Sequence, residues 1–460
     1  MTTEALKRQA TTIVLAGLVL TLPLMMGQRT AATLSASLLV LVWMTTVAAA
    51  GAAWSGQVQR PPRGWLIFAA VLTGLVALQV MPLRTLAAVF GPYPDILWQQ
   101  PEFSPLAWSP DVGASLRGWA AFIALFTIAW LAASMPRQMR MWLWLAIVAM
   151  ALFQGLYGLL AHATGSESIL GIWDRNNPRF VHGTFSNRNL YAAYLALTWP
   201  LAVGIWYMRK VPGLSRLPLE VRIAGSLISA AIIGAAMLGS ASRLGSSAGV
   251  GGILLALLLW GKHRQMIHGA SAWPAYAAAA AALLAATWYG LTPLATRLLA
   301  TSGEEVRLEV VAIAMSEFPL AWWLHGVGLG GFEAVFKQFQ PPHISGWFDY
   351  MHNDLLQWLI ETGLVGLGLL LAVIAALWRT ARLSTERVAL YAGLGALSIV
   401  ALGDFSWHIP ATQVVAALFL GTLLAQPRPN QRRHQGSDRS GKAAYKASRA
   451  GRPPAATAEG

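Results

Sequence analysis

The stretch YMHNDLLQWLIETGLVGLG, Tyr350 to Gly368, decides the fold. A histidine, an asparagine and an aspartate stand directly before a long apolar run. The run continues to about residue 378, and about 20 apolar residues are what a helix needs to cross the hydrocarbon core. The apolar residues are continuous rather than alternating, which favours a helix over a barrel strand. Polar groups at the mouth of such a helix are costly in lipid and call for a task.

The rest of the chain repeats the pattern. Of 460 residues, 56% are hydrophobic and only 11% charged, where a soluble domain carries roughly a quarter charged residues. An all-α, polytopic helical bundle is expected. It has about 12 transmembrane helices near residues 10–27, 31–51, 64–81, 117–134, 141–162, 189–208, 222–240, 245–261, 272–292, 354–378, 388–404 and 408–425. The first run lacks a small-residue cleavage pattern, so no cleavable signal peptide is expected. Cysteine is absent, which removes disulfides and thiolate metal sites from the argument.

The formal net charge is +14, but its distribution is a topology signal. Lys7, Arg8, Arg60, Arg63, Arg137, Arg140, Arg209, Lys210, Arg216, Arg222, Lys262, Arg264, Arg379, Arg382 and Arg387 all fall in short loops on one side. The positive-inside rule makes that side cytoplasmic and puts both termini there. Residues 1–425 are expected to form the transmembrane domain, with 291–352 as a large external loop containing short helices. Residues 426–460, polar and rich in Pro, Gly, Ala and Arg, are expected to be a disordered basic tail. Anionic membrane lipids suit this charge as partners, and nucleic acid is not expected.

Four places on the external side resist a purely structural reading. In FVHGTFSNRNLYAAYLAL, Phe180 to Leu197, either Asn187 or Asn189 suits a helix cap, yet Arg188 beside them opposes the helix dipole and implies a nearby anion. In GSASRLGSSAGV, Gly239 to Val250, Arg243 stands among small residues in a tight turn, able to fork onto a phosphate or to snorkel to headgroups. From Glu305 to Glu317 the pattern reads as an amphipathic helix with Arg307 in its first turn, placed to pair with Glu304 or Glu305 or with a phosphate. The GVGLGGF that follows reads as a turn, since no strand precedes it. At the opening stretch, His352 is either a passive N-cap, with Asn353 and Asp354 filling the first turn, or a general base for a hydroxyl. Lower on that helix, Gly363 and Gly366 are expected to let another span approach closely. GDFSWHIPA, Gly403 to Ala411, returns to the same side with Asp404 and His408, which either assist the site or cap a helix.

These residues carry a resemblance. The chain resembles the O-antigen ligase and O-antigen polymerase superfamily of bacterial inner-membrane glycan transferases. Its pattern of His, then Asn, Ser or Gln, nine residues, then Gly-x-x-Gly is met by His352, Asn353, Gly363 and Gly366. Gly183 to Asn189 is similar to the family's Gly-x-Phe-x-x-x-Asn start of a span, and Arg243 and Arg307 match its two arginine positions. The resemblance covers about Phe180 to Gly368, and beyond it only the hydrophobic layout matches.

The resemblance implies a glycosyltransferase that takes a glycan from undecaprenyl diphosphate at the periplasmic face of the inner membrane. The acceptor it implies is lipid A core, a growing glycan or a protein hydroxyl. His352 would be the base, Arg243 and Arg307 the diphosphate ligands, and Arg188 a third cation, with Asn187, Asn189, Asn353, Asp404 and His408 in support. The transfer would be inverting and would use no cofactor. No Asp-x-Asp stands on the external side, which agrees with a metal-independent reaction. The intact His-Asn-x9-Gly-x-x-Gly spacing puts a ligase ahead of a polymerase or a protein O-oligosaccharyltransferase. A transporter or lipid flippase is the rival from another class. It would carry ionisable groups at the bilayer midplane and show repeat symmetry, whereas here Glu361 is the main group away from the external face.

Overall fold

The computed structural model describes residues 3–27, 31–56, 60–81, 107–175, 178–262, 304–344, 346 and 348–425. The expected ninth span at 272–292, the tail at 426–460 and parts of both long external segments lie outside the described residues. Fourteen α-helices are described. They are α1 Thr3–Leu24, α2 Ala31–Trp54, α3 Arg63–Val80, α4 Val112–Ser134, α5 Arg137–Ala163, α6 Arg188–Gly204, α7 Leu219–Gly239, α8 Arg243–Lys262, α9 Glu304–Glu317, α10 Leu320–His325, α11 Phe332–Phe339, α12 Asp354–Arg379, α13 Thr385–Val400 and α14 Pro410–Leu424. Strands β1 Ser168–Ile169 and β2 Trp173–Asp174 form a small antiparallel hairpin between α5 and α6.

Nine of the described helices are long and apolar enough to cross a membrane. The expected helical membrane bundle is therefore observed. Boundaries follow local chemistry. The fourth span begins at Val112, earlier than expected, because the Asp111 side chain accepts from Ala114 N at 2.7 Å and so caps the first turn. Ser384 caps α13 by accepting from Arg387 N, and Pro410 opens α14, where its missing N–H costs nothing.

The centre of the bundle is α6, in which every residue from Leu190 to Gly204 is buried. Small residues let its neighbours approach. Gly245 of α8 faces Ala192 with no room for a Cβ, and Gly393 of α13 faces the Leu197 carbonyl. At the end where α13 begins, the buried Glu386 carboxylate holds Arg137 at 3.4 Å and accepts from Trp144 Nε1 at 2.9 Å. The opposite end gathers the first turns of α6, α8, α12 and α14. Beside it, α9, α10 and α11 bury a second core of Val310, Ala314, Phe318, Trp322, Phe332 and Phe336.

The expectation for Gly363 and Gly366 is corrected. Gly363 takes φ +62° and breaks α12 into two pieces. Its neighbour is the backbone of Leu324 to Gly326, at the end of α10 in the segment before α12, rather than another span. Gly326 faces back with φ +82°, and a Cβ there would strike the Glu361 carbonyl. Two glycines with left-handed backbones thus pack against each other's chains, which no residue with a Cβ permits. The broken turn frees carbonyls of α12, and the glycine turn supplies donors: Val327 N to Ile360 O at 2.8 Å and Gly328 N to Glu361 O at 3.1 Å. Gly366 accepts from Trp358 Nε1 of its own helix.

Candidate active site

His352 is not the cap of α12. Asn353 is: its Oδ1 accepts from Leu356 N at 3.0 Å, and its Nδ2 donates to Leu402 O at 3.0 Å. His352 sits one residue earlier with φ +58°, a left-handed backbone. That conformation is uncommon outside glycine, though Asn, Asp and His adopt it several-fold more often than other residues. Three ties fix it. Asp354 N donates to Ala401 O, Asn353 reaches Leu402, and Met351 N donates to Gln357 Oε1. The His352 ring lies edge-on to Phe405 and to Phe348, with centroids 4.9 and 6.0 Å away.

Asp404 joins two of the sequence-predicted residues. Its Oδ1 lies 3.6 Å from His352 Nδ1, and its Oδ2 lies 3.6 Å from an Arg307 guanidinium nitrogen. The carboxylate is itself buried, and its Oδ1 accepts from Phe405 N at 2.9 Å. Arg307 thus pairs across the fold, which the sequence reading did not anticipate. His408 lies on the same turn as Asp404. It pairs with Asp354, Nδ1 to Oδ1 at 2.6 Å, while Trp407 N donates to Asp354 Oδ2 at 2.9 Å. The Tyr350 ring covers both His408 and Phe405, with centroids 4.8 and 4.7 Å away.

Arg243 opens α8, and the next residue, Leu244, packs against Gly403, the neighbour of Asp404. Arg188 opens α6. Asn187 is its cap, accepting from Asn189 N at 2.8 Å, so the cap falls to Asn187 rather than Asn189. The Gly245–Ala192 contact holds the starts of α6 and α8 together. Two helix N-termini, each led by an arginine, therefore stand side by side. The positive ends of two helix dipoles and two guanidinium groups make such a place attractive to an anion. The Arg188 guanidinium lies 4.0 Å over the Phe180 ring. Among the described residues, Arg188 Nη1 and His352 Nδ1 are buried without a hydrogen-bond partner.

The sequence reading missed a buried pair in the loop before α6. Arg175 donates to His182 Nε2 at 2.8 Å and to the carbonyls of Ala161, Ser166 and Phe180. His182 Nδ1 then faces the Phe185 carbonyl at 2.6 Å, which places its proton on Nδ1. Burial, with the Arg175 charge second, pushes the His182 imidazole down to about 4. Glu361, Gln357 and Gln79 were missed as a set, because nothing local marks them.

No curated protein matches the chain. Residues 228–371 match the family model described as O-antigen ligase. The matched stretch contains Arg243, Arg307, the glycine turn and His352. It supports glycan transfer of the O-antigen ligase or polymerase type, and with the apolar helices it marks an integral membrane protein. Residues 228–371, which carry two of the arginines and the histidine of this site, are thus similar to the O-antigen ligase family.

Proposed function

We propose that the protein transfers a glycan from an undecaprenyl diphosphate carrier to the hydroxyl of a lipid A core acceptor. The transfer takes place at the periplasmic face of the inner membrane. The observation that carries this reading is the Asp404 carboxylate lying 3.6 Å from both His352 and Arg307 at the mouth of a membrane helix. It couples a base to a permanent cation, the two groups that displacement at a sugar diphosphate needs.

In the proposed step the acceptor oxygen bonds to the anomeric carbon of the glycan. The bond from that carbon to the diphosphate oxygen breaks, and the configuration inverts. The hydroxyl proton passes to His352, and Asp404 stabilises the imidazolium that forms. The electron pair leaves with the lipid diphosphate. Arg307, Arg243 and Arg188 balance that charge, supplying the electrostatic stabilisation that a metal ion gives elsewhere. Asn353 sets the height of the histidine, and Asn187 the start of α6.

The test is a purified-protein assay with a synthetic lipid-diphosphate glycan and a lipid A core acceptor. Release of lipid diphosphate that depends on the acceptor and vanishes in His352→Ala supports the reading. Equal release by His352→Ala overturns it. Sidedness is tested separately. A reporter of periplasmic exposure should be active when fused after Gly331 and silent when fused after Gln426. Activity at the second position overturns the orientation.

A further inference from the structure

Glu361 is the ionisable group that the external cluster leaves unexplained. It is buried, with both carboxylate oxygens occupied: Oε2 accepts from Gly330 N at 2.8 Å, and Oε1 accepts from Gln357 Nε2 at 2.9 Å. Gln357 is also buried, and its other end is used too, since its Oε1 accepts from Met351 N at 2.9 Å. Met351 is the residue before His352, whose left-handed backbone is the least ordinary feature of the site. One continuous line of hydrogen bonds therefore runs from the glycine turn, through Glu361 and Gln357, to the peptide that aims the histidine. Gln79 of α3 braces the same line, donating to Glu361 O at 3.0 Å and accepting from Leu329 N at 3.1 Å.

We infer that Glu361 and Gln357 are positioning residues, which set the direction of the His352 ring by fixing the polarity of this line. The inference rests on the proposed transfer. The direction of every bond matters. Gln357 has one donating and one accepting end, so a partner that only accepts at residue 361 forces its oxygen toward Met351. If residue 361 presents a donor instead, the Gln357 amide turns over. Its NH2 then faces the Met351 N–H, donor against donor, and the tie is lost with almost no change in volume. A buried donor left without a partner is costly, and the Met351–His352 peptide relaxes. A misplacement of about 1 Å at a reacting group can cost about a hundredfold in rate.

Glu361→Gln makes that reversal. The double variant Glu361→Gln with Gln357→Glu restores it, because Gln at 361 then accepts from Gly330 and donates to Glu at 357, which accepts from Met351. Three readouts apply to the full chain in detergent or nanodiscs: the thermal transition, hydrogen exchange of the amides around Met351, and transfer kinetics with the lipid-diphosphate glycan. We expect Glu361→Gln to fold, to exchange the Met351 amide at least about tenfold faster, and to lose about tenfold to a hundredfold in kcat with the donor KM unchanged. The double variant should recover both the slow exchange and most of the kcat.

Unchanged exchange in Glu361→Gln overturns the tie whatever the protein transfers. Faster exchange with parental kcat overturns the positioning role. A double variant as slow as the single one does the same. A parent that releases no lipid diphosphate with any acceptor counts against the proposed function instead, and the exchange measurement still judges the tie.

Discussion

Asp404 Oδ1 stands 3.6 Å from His352 Nδ1, too far for a hydrogen bond and close enough to stabilise a positive ring. Asp404→Asn keeps the oxygen that accepts from Phe405 N but removes the charge. The imidazolium that forms then loses its electrostatic partner, so kcat should fall on the order of tenfold to a hundredfold. The check is initial-rate kinetics normalised to the amount of folded protein, and a parental rate removes Asp404 from the site.

Replacing His352 separates catalysis from backbone geometry. Asparagine tolerates the left-handed conformation, so His352→Asn should insert and fold like the parent. It cannot hold a proton, and transfer should drop at least about a hundredfold. His352→Gln should fail similarly. Full activity in the Asn variant, measured as acceptor-dependent lipid diphosphate release, would end the role as base.

For the arginines, charge alone should not suffice. Arg307→Lys and Arg243→Lys keep a cation but replace a planar fork with a point charge. Each should lose about tenfold to a hundredfold in kcat/KM for the donor, the share of a charge-assisted phosphate contact. Donor titrations against both variants decide this, since a residue that merely snorkels would leave the curve unmoved.

Gly363 should be intolerant for a different reason. Gly363→Ala would place a Cβ against the Leu324 carbonyl on a backbone at φ +62°. The left-handed conformation alone costs about 1–2 kcal/mol in a residue with a Cβ. The thermal transition in detergent should fall, and protease should cut the 326–331 turn sooner. A wild-type melting curve would mean that the break in α12 is not needed.

The loop held by Arg175 and His182 should weaken in mild acid. An unfolded histidine takes its proton near pH 6.5, whereas His182 in the folded chain resists until about 4. Its contribution is present in full above about 6.5 and drains away as the pH falls toward 4. Protonation also removes the lone pair that accepts from Arg175. Limited proteolysis between residues 164 and 187 should accelerate from pH 7 to pH 5, and His182→Gln should flatten that dependence.

Much of this protein is legible in the sequence because lipid leaves few alternatives. A continuous apolar run of about 20 residues must satisfy its backbone internally, so the spans are readable from Thr12 to Leu424 without any knowledge of neighbours. His352, Arg307, Arg243 and Arg188 stand out in the sequence too, as costly groups expected at helix mouths on one side. Their pairing does not. Arg307 had two acidic residues close by in sequence, and the fold gave it Asp404, carried on the turn between α13 and α14. The cap of α6 had two candidates, and backbone geometry chose Asn187; at α12 the cap is Asn353, where the sequence reading offers only His352. Gly363 read as a smooth surface for a neighbouring span. Only the arrival of the Leu324–Gly326 backbone turned it into a break, with Glu361 and Gln357 recruited to hold the histidine. Hydropathy and helix length are local sums that a chain carries in its own order. A hydrogen bond between distant residues depends on where separate helices come to rest, and that was decided only when the bundle packed.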